Sequence, residues 1–326
     1  VRAPAASSTS SSQAGFAAFL QLATLSALAA MLVFRLHDRA PAGHWGYWAL
    51  VAAFWLFAWD FNRTLAAGAG PFARAAGWLQ PLVFGLTLIM LWEALCVGFG
   101  VPTVLLPAPS LIADRMASSV PTLWADFFQT VIRAAIPGWI MGCLLGFVVA
   151  LACDRFDFLR RGLMPIGNFI SALPIIGIAP ILVMWFGFDW QSKAAVVVVM
   201  TFFPMLVNTV AGLASAGHLE RDLMRSYGAS WRATLLSLRL PAAMPFIFNA
   251  LKINATLAMI GAIVAEFFGT PVVGMGFRIS TEIGRMALDM VWSTIAVAAI
   301  AGSSFYGLLV LLERRVTFWH PSLRPR

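Results

Sequence analysis

Lysine is nearly absent. Of 22 Lys and Arg residues in a chain of 326, only Lys193 and Lys252 are lysine. A P-loop needs a Gly-Lys-Ser/Thr step to hold nucleotide phosphates. Ser192 precedes the first lysine and Leu251 the second, so the chain has no such site of its own. Charge of either sign is scarce as well, at 11% of residues, where a soluble domain carries about 25%. So few polar groups cannot cover a water-facing surface, which makes the lipid bilayer the natural solvent. Three cysteines, Cys96, Cys143 and Cys153, lie in or beside apolar runs without a CxxC spacing, so they read as small buried residues and not as a zinc or redox motif. His37, His44, His218 and His320 are scattered, which argues against a metal site. The net charge is +8, but its cations form no clustered basic face of the kind that nucleic-acid binding requires.

What the chain has is apolar length: 60% of its residues are hydrophobic. A hydrocarbon core about 30 Å thick takes about 20 apolar residues per helix. That rule gives eight spans: Gly15–Phe34, Gly46–Phe61, Leu79–Phe99, Ile136–Cys153, Phe169–Phe188, Ala194–Ala214, Phe246–Phe268 and Val291–Leu312. Residues 1–14, rich in Ala and Ser, are expected to form a disordered tail. The first span is longer than a signal-peptide h-region and reads as a retained helix. With the amino terminus inside, 14 arginines fall on the cytoplasmic side and 7 cations outside. That asymmetry predicts two cytoplasmic termini. Lys252 falls within a span near its inner end, where it is expected to snorkel.

Two long segments lie between spans. Val101–Arg133 is expected outside. Residues 217–245 are expected in the cytoplasm and carry the most informative residues. Leu219 to Tyr227 has an amphipathic helical pattern, Gly228 can take a positive φ at a turn, and Ser230 can cap a second helix. That helix is expected to stop at Leu240, before Pro241. A helix–Gly–helix elbow of this kind suits a surface that receives force from a soluble partner.

Three further features need a reason. Gly138, Gly142 and Gly146 share one helical face, a small-xxx-small pattern that lets membrane helices approach closely, either within the bundle or at a dimer seam. Glu266 and Glu93 are acids inside spans, where a charge costs about 2.5–3.5 kcal/mol on insertion scales; Glu266 is a candidate for the translocation path or for a bond to a neighbouring helix. Pro174 and Pro180 mark Ala172–Pro180 as candidate irregular backbone lining a path.

The elbow also carries a resemblance. Arg225-Ser226-Tyr227-Gly228-Ala229-Ser230, then Leu240-Pro241-Ala242-Ala243-Met244-Pro245, then Ala250-Leu251-Lys252, is similar to the EAA loop of ABC importer permeases. Asp222-Leu223-Met224 stands where Glu-Ala-Ala is usual, with the acid kept in kind and Glu220 two residues before it. Leu105-Leu106-Pro107-Ala108-Pro109-Ser110, Leu173-Pro174 through Ala179-Pro180, Trp185-Phe186-Gly187-Phe188-Asp189, Gly274-Met275-Gly276 and Glu282–Trp292 resemble other stretches of the nitrate/sulfonate/taurine (bicarbonate) type. The likeness runs from about Leu79 to Pro321. It implies an all-α integral membrane protein of the type I, MetI-like permease fold, with a core at 79–326 and two extra helices at 15–78. It implies a second permease copy, two ATPase subunits that carry ATP and Mg, a periplasmic binding protein, and a bacterial inner-membrane location. No cofactor is expected on this chain. The implied solute is a nitrate-, sulfonate- or taurine-like anion, or a small heterocycle such as a pyrimidine, a thiamine precursor or riboflavin. An ion-coupled secondary transporter is the alternative. It would need a midplane ion site and repeated halves, and the sequence offers neither.

Overall fold

A computed structural model describes residues 24–25, 29, 45–66, 76–171, 174–269 and 272–319. The tail at 1–14 and nearly all of Gly15–Phe34 lie outside the described residues. Those described form helices and contain no strand. Among the described residues five helices are long and apolar enough to cross a membrane: Gly77–Gly98, Val120–Arg155, Trp190–Ala214, Trp231–Glu266 and Leu288–Val316.

The chain divides into two compact units. The first contains α1 (Trp45–Ala66), α2 (Ala76–Gly98) and nearly all of α3 (Pro109–Ser118). The buried residues of α1 are Tyr47, Val51, Phe54, Ala58, Phe61 and Leu65. Their alternating spacing of four and three keeps one seam against a neighbour. Here the neighbour is α2, which contributes Leu79, Val83, Met90 and Ala94. The Tyr47 hydroxyl donates to the Ala94 carbonyl at 2.7 Å. Contacts group α2 with α1 in this unit, which continues to Ala117. Glu93, an acid within α2, accepts from the Ser110 backbone N–H at 2.8 Å and from its hydroxyl at 2.7 Å. It therefore caps the amino end of α3, where a carboxylate is favoured.

The second unit is built on three helices: α4 (Val120–Arg155), α7 (Trp190–Ala214) and α9 (Trp231–Glu266). Between α4 and α7 lie α5 (Asp157–Ser171) and α6 (Ile175–Phe186). The expected single span Phe169–Phe188 is thus two helices. Ile175–Phe186 is helical and contains Pro180, so that part of the stretch expected to be irregular at Ala172–Pro180 is regular helix, while Ala172 and Leu173 lie outside the described residues. α8 (His218–Ser226), α10 (Met275–Gly284) and α11 (Leu288–Val316) complete the unit. α11 rests on the core through Val297, Ala298 and Ala301. The Lys252 Nζ meets Glu313 Oε2 of α11 at 2.7 Å.

The glycine ladder is the α4–α7 seam within one chain. A Cβ on Gly138 would lie 2.6 Å from Val197 Cβ, one on Gly146 would lie 2.5 Å from the Phe202 carbonyl oxygen, and one on Gly142 would overlap Thr201 Oγ1. Backbones this close leave no room for a methyl group. Overpacking costs about 1–3 kcal/mol, so Gly142→Val is expected to lower the melting temperature of the purified chain and reduce its monodisperse fraction. Gly302→Ala is the comparison, because a Cβ there meets only Met259 Cγ at 3.7 Å. Size-exclusion chromatography and thermal unfolding check both.

α4 and α9 each contain a π-helical segment, Phe128–Ala135 and Leu235–Arg239. Each ends two residues before a proline, Pro137 or Pro241. The residue just before each proline donates five residues back: Ile136 N–H to the Val131 carbonyl, and Leu240 N–H to the Leu235 carbonyl. Proline lacks an N–H and crowds the carbonyl four residues earlier. Widening the turn just before it lets the helix continue. For this reason α9 does not stop at Leu240.

Candidate coupling elbow

α8 has no buried residue. Gly217 is its N-cap, and the Glu220 carboxylate in the first turn folds back against it, where the helix dipole favours negative charge. At the other end Tyr227 N–H donates to the Leu223 carbonyl, Gly228 N–H to the Arg225 carbonyl and Ala229 N–H to the Met224 carbonyl. Gly228 sits at φ +64°, the left-handed conformation glycine adopts at low cost. The Ser226 hydroxyl donates to the Leu223 carbonyl at 2.8 Å. Ser230 accepts from Ala233 N–H at 3.3 Å and caps the start of α9. The turn is therefore closed by its own hydrogen bonds, as the sequence pattern implies.

The outward face of α8 is its chemical signature. Leu219, Leu223 and Tyr227 are spaced by four, and their exposures are 84%, 56% and 80%. Each spans one helical turn from the next, so they form one apolar stripe. An apolar stripe on an otherwise polar helix that buries nothing in its own chain is a candidate docking face. The Arg225–Asp222 ion pair beside it, at 3.4 Å, is exposed, and such pairs contribute about 0–1 kcal/mol.

Sequence reading missed what holds the elbow. Arg221 donates to the Ala214 carbonyl at 2.7 Å and to the Leu213 carbonyl at 3.3 Å. Arg239 Nε donates to the same Leu213 carbonyl at 3.1 Å. Two cations thus cap the carboxyl end of α7, where the dipole favours them. Arg239 also grips Asp154 in the last turn of α4 with two bonds, Nη1 to Oδ2 at 2.7 Å and Nη2 to Oδ1. Arg155 lies over the Trp231 ring, 5.4 Å from its centroid. The elbow is strapped to the carboxyl ends of α4 and α7, and Leu240-Pro241 begins the regular part of α9 just beyond the strap. In the sequence these arginines are visible only as topological charge; that one stands two residues before Pro241 is the single local cue.

At the opposite end, three side chains receive the first backbone N–H groups of the Gly274–Gly276 turn. Asp126 accepts from Gly274 at 2.8 Å, Thr130 from Met275 at 2.8 Å and Glu266 from Gly276 at 2.7 Å. Thr130 also donates to Glu266 at 2.8 Å, and Arg278 Nε meets Asp126 at 2.8 Å. Hydrogen bonding to Asp126 raises the Arg278 pKa above its ordinary value. Glu266 is 2% exposed and is directed at these partners, so it bolts α10 to α4 and α9. Pro174 precedes α6 and Pro180 lies within it; neither belongs to this cluster or to the elbow.

Residues 142–318 match the family model described as "Binding-protein-dependent transport system inner membrane component". Among relatives, the chain is 30% identical over 241 residues to the formylaminopyrimidine transport permease protein ThiX of Halalkalibacterium halodurans, covering 74% of this chain and 96% of that one. It is 29% identical over 237 residues to the riboflavin transport system permease protein RibX of Chloroflexus aurantiacus, covering 72% and 88%. It is 26% identical over 255 residues to the putative aliphatic sulfonates transport permease protein SsuC of Bacillus subtilis, covering 77% and 91%. An elbow with an apolar outer stripe, on a bundle of membrane-crossing helices matched along most of its length by transport permeases, places the chain: it belongs to the family of binding-protein-dependent transport system inner membrane components, the permease subunits of ABC importers.

Proposed function

We propose that this permease carries a small solute inward, received from a periplasmic binding protein and driven by ATPase subunits docked on α8. The observation that supports this most is the exposed Leu219–Leu223–Tyr227 stripe on an elbow strapped to α4 and α7. Two permease copies would each present one elbow to one ATPase, with ATP and Mg held by those subunits. Both termini lie in the cytoplasm in this reading, in line with the arginine asymmetry. The solute is a small heterocycle or a sulfonate-like anion, the classes named by the relatives ThiX, RibX and SsuC.

Affinity purification from the native membrane, followed by identification of the co-purified proteins, tests the reading. An ATPase subunit in about equal amount with the permease is the expected result. Recovery of the chain alone, with solute uptake that needs no ATP, would overturn it in favour of an ion-coupled transporter.

A further inference from the structure

α4 turns one stripe outward along its length. Toward its inner end the stripe is Ile140, Met141, Leu144, Leu145 and Val148, all exposed. Such a surface matches acyl chains. Toward the outer end its chemistry changes to Arg133, Phe128 and Trp124, with Trp124 63% exposed. Aromatic rings and a cation beyond an apolar run mark headgroup level. A helical side chain leans toward the amino end of its helix, here the outer end. Accordingly the Arg133 guanidinium lies over Phe128, 5.5 Å from the ring centroid.

At that level a cleft of about 530 Å³ opens, lined by Trp124, Phe128, Gln129, Arg133, Asp189 and Val273. It brings together α4, the N-cap of α7 and the turn leading into α10. Arg133 makes one long hydrogen bond, to Gln129 Oε1 at 3.4 Å, and keeps its other N–H groups for a ligand. Asp189 uses Oδ1 to accept from Trp190 N–H at 2.8 Å, which leaves Oδ2 open. The two opposite charges line one cleft but form no ion pair with each other.

We propose that this cleft binds the headgroup of an outer-leaflet phosphatidylethanolamine. Arg133 takes the phosphate through charge-assisted hydrogen bonds. Asp189 accepts from the ammonium, which a two-carbon linker sets apart from the phosphate. The rings of Trp124 and Phe128 flank the glycerol region, and the acyl chains follow the apolar stripe of α4. The cleft carries one charge of each sign, so it matches a zwitterion better than an anionic lipid. The terminal ammonium needs a hydrogen-bond acceptor, which separates ethanolamine from choline, whose quaternary nitrogen has no N–H to donate.

Native mass spectrometry of the full chain, released from nanodiscs of mixed phosphatidylethanolamine, phosphatidylglycerol and phosphatidylcholine, tests this. Wild type should retain phosphatidylethanolamine roughly tenfold over the other two, the scale of one charge-assisted hydrogen bond. Asp189→Asn keeps an N-cap residue, and should lose the preference over phosphatidylglycerol. Arg133→Gln should lose retained lipid of both kinds. Size-exclusion profiles and melting temperatures confirm that both variants are folded. Retention that is unchanged in both variants, or a wild type that holds phosphatidylcholine equally well, overturns the proposal and leaves the face to a second protein chain.

Discussion

Replacing Leu223 with aspartate should strip the ATPase subunit from the purified complex while leaving the permease folded. Leu223 is in the middle of the α8 stripe, with Leu219 one turn before it and Tyr227 one turn after. It is 56% exposed and contributes to none of the buried clusters, so the free permease loses almost no packing. In a docked complex the same position would lie at the centre of an apolar contact. Central anchors of such interfaces cost about 2 kcal/mol or more when truncated, and a buried unpaired carboxylate adds a desolvation penalty. The expected result is at least about 30-fold weaker association, read as loss of the ATPase from the affinity eluate, with an unchanged melting temperature. Arg225→Ala is the comparison: it removes only an exposed ion pair, and the ATPase should remain. Full retention with Leu223→Asp would move the docking face away from α8.

The elbow is the part of the site most legible in the sequence, because each piece is local. A glycine that can take a positive φ, a serine able to cap and an i, i+4 apolar repeat can be read within a dozen residues. The glycine ladder is legible as a close-packing face for the same reason, but the identity of its neighbour is not. Gly142 meets Thr201 and Val198 across 56 or more residues of chain, and spacing on one helix says nothing about which helix comes to it. Glu266 shows the same limit. Its position within an apolar run marks it as needing a partner, while the partners themselves, Thr130 and the Gly276 N–H, lie on two other elements.

Proline misleads in a different way. Pro241 is a sound signal to end a helix, since the residue before a proline disfavours the α conformation. α9 nevertheless continues for 36 residues in all, because one π-helical turn absorbs the missing donor. At about 1.5 Å per residue such a helix spans roughly 54 Å, well beyond a hydrocarbon core of about 30 Å. α9 therefore starts at the elbow and ends at the Glu266 cluster. The two sites found at opposite ends of the second unit are the two ends of one helix, and α4, with Asp154 at its carboxyl end and Asp126 near its amino end, runs beside it in the opposite direction.

That geometry makes the Arg239–Asp154 strap the point where docking and movement can be separated. The pair is well covered, with side-chain exposures of 16% and 8%, and Arg239 also caps α7 through the Leu213 carbonyl. Removing one partner of such a pair leaves an uncompensated charge and costs about 3–5 kcal/mol. Asp154→Asn should therefore lower the melting temperature of the permease. The stripe on α8 is untouched, so the ATPase should still co-purify. ATPase stimulation by the solute-loaded binding protein should fall severalfold in reconstituted membranes, because movement of α8 is no longer handed to α4. A double variant, Asp154→Leu with Arg239→Met, removes both charges and should regain much of the lost stability, as apolar replacements of buried ion pairs do. It should not regain stimulation, because the grip on α4 and Arg239's share of the α7 cap are both gone. Full stimulation in the double variant would show that the elbow transmits force through α9 and the Arg221 contact to α7, and would reduce the strap to a purely structural contact.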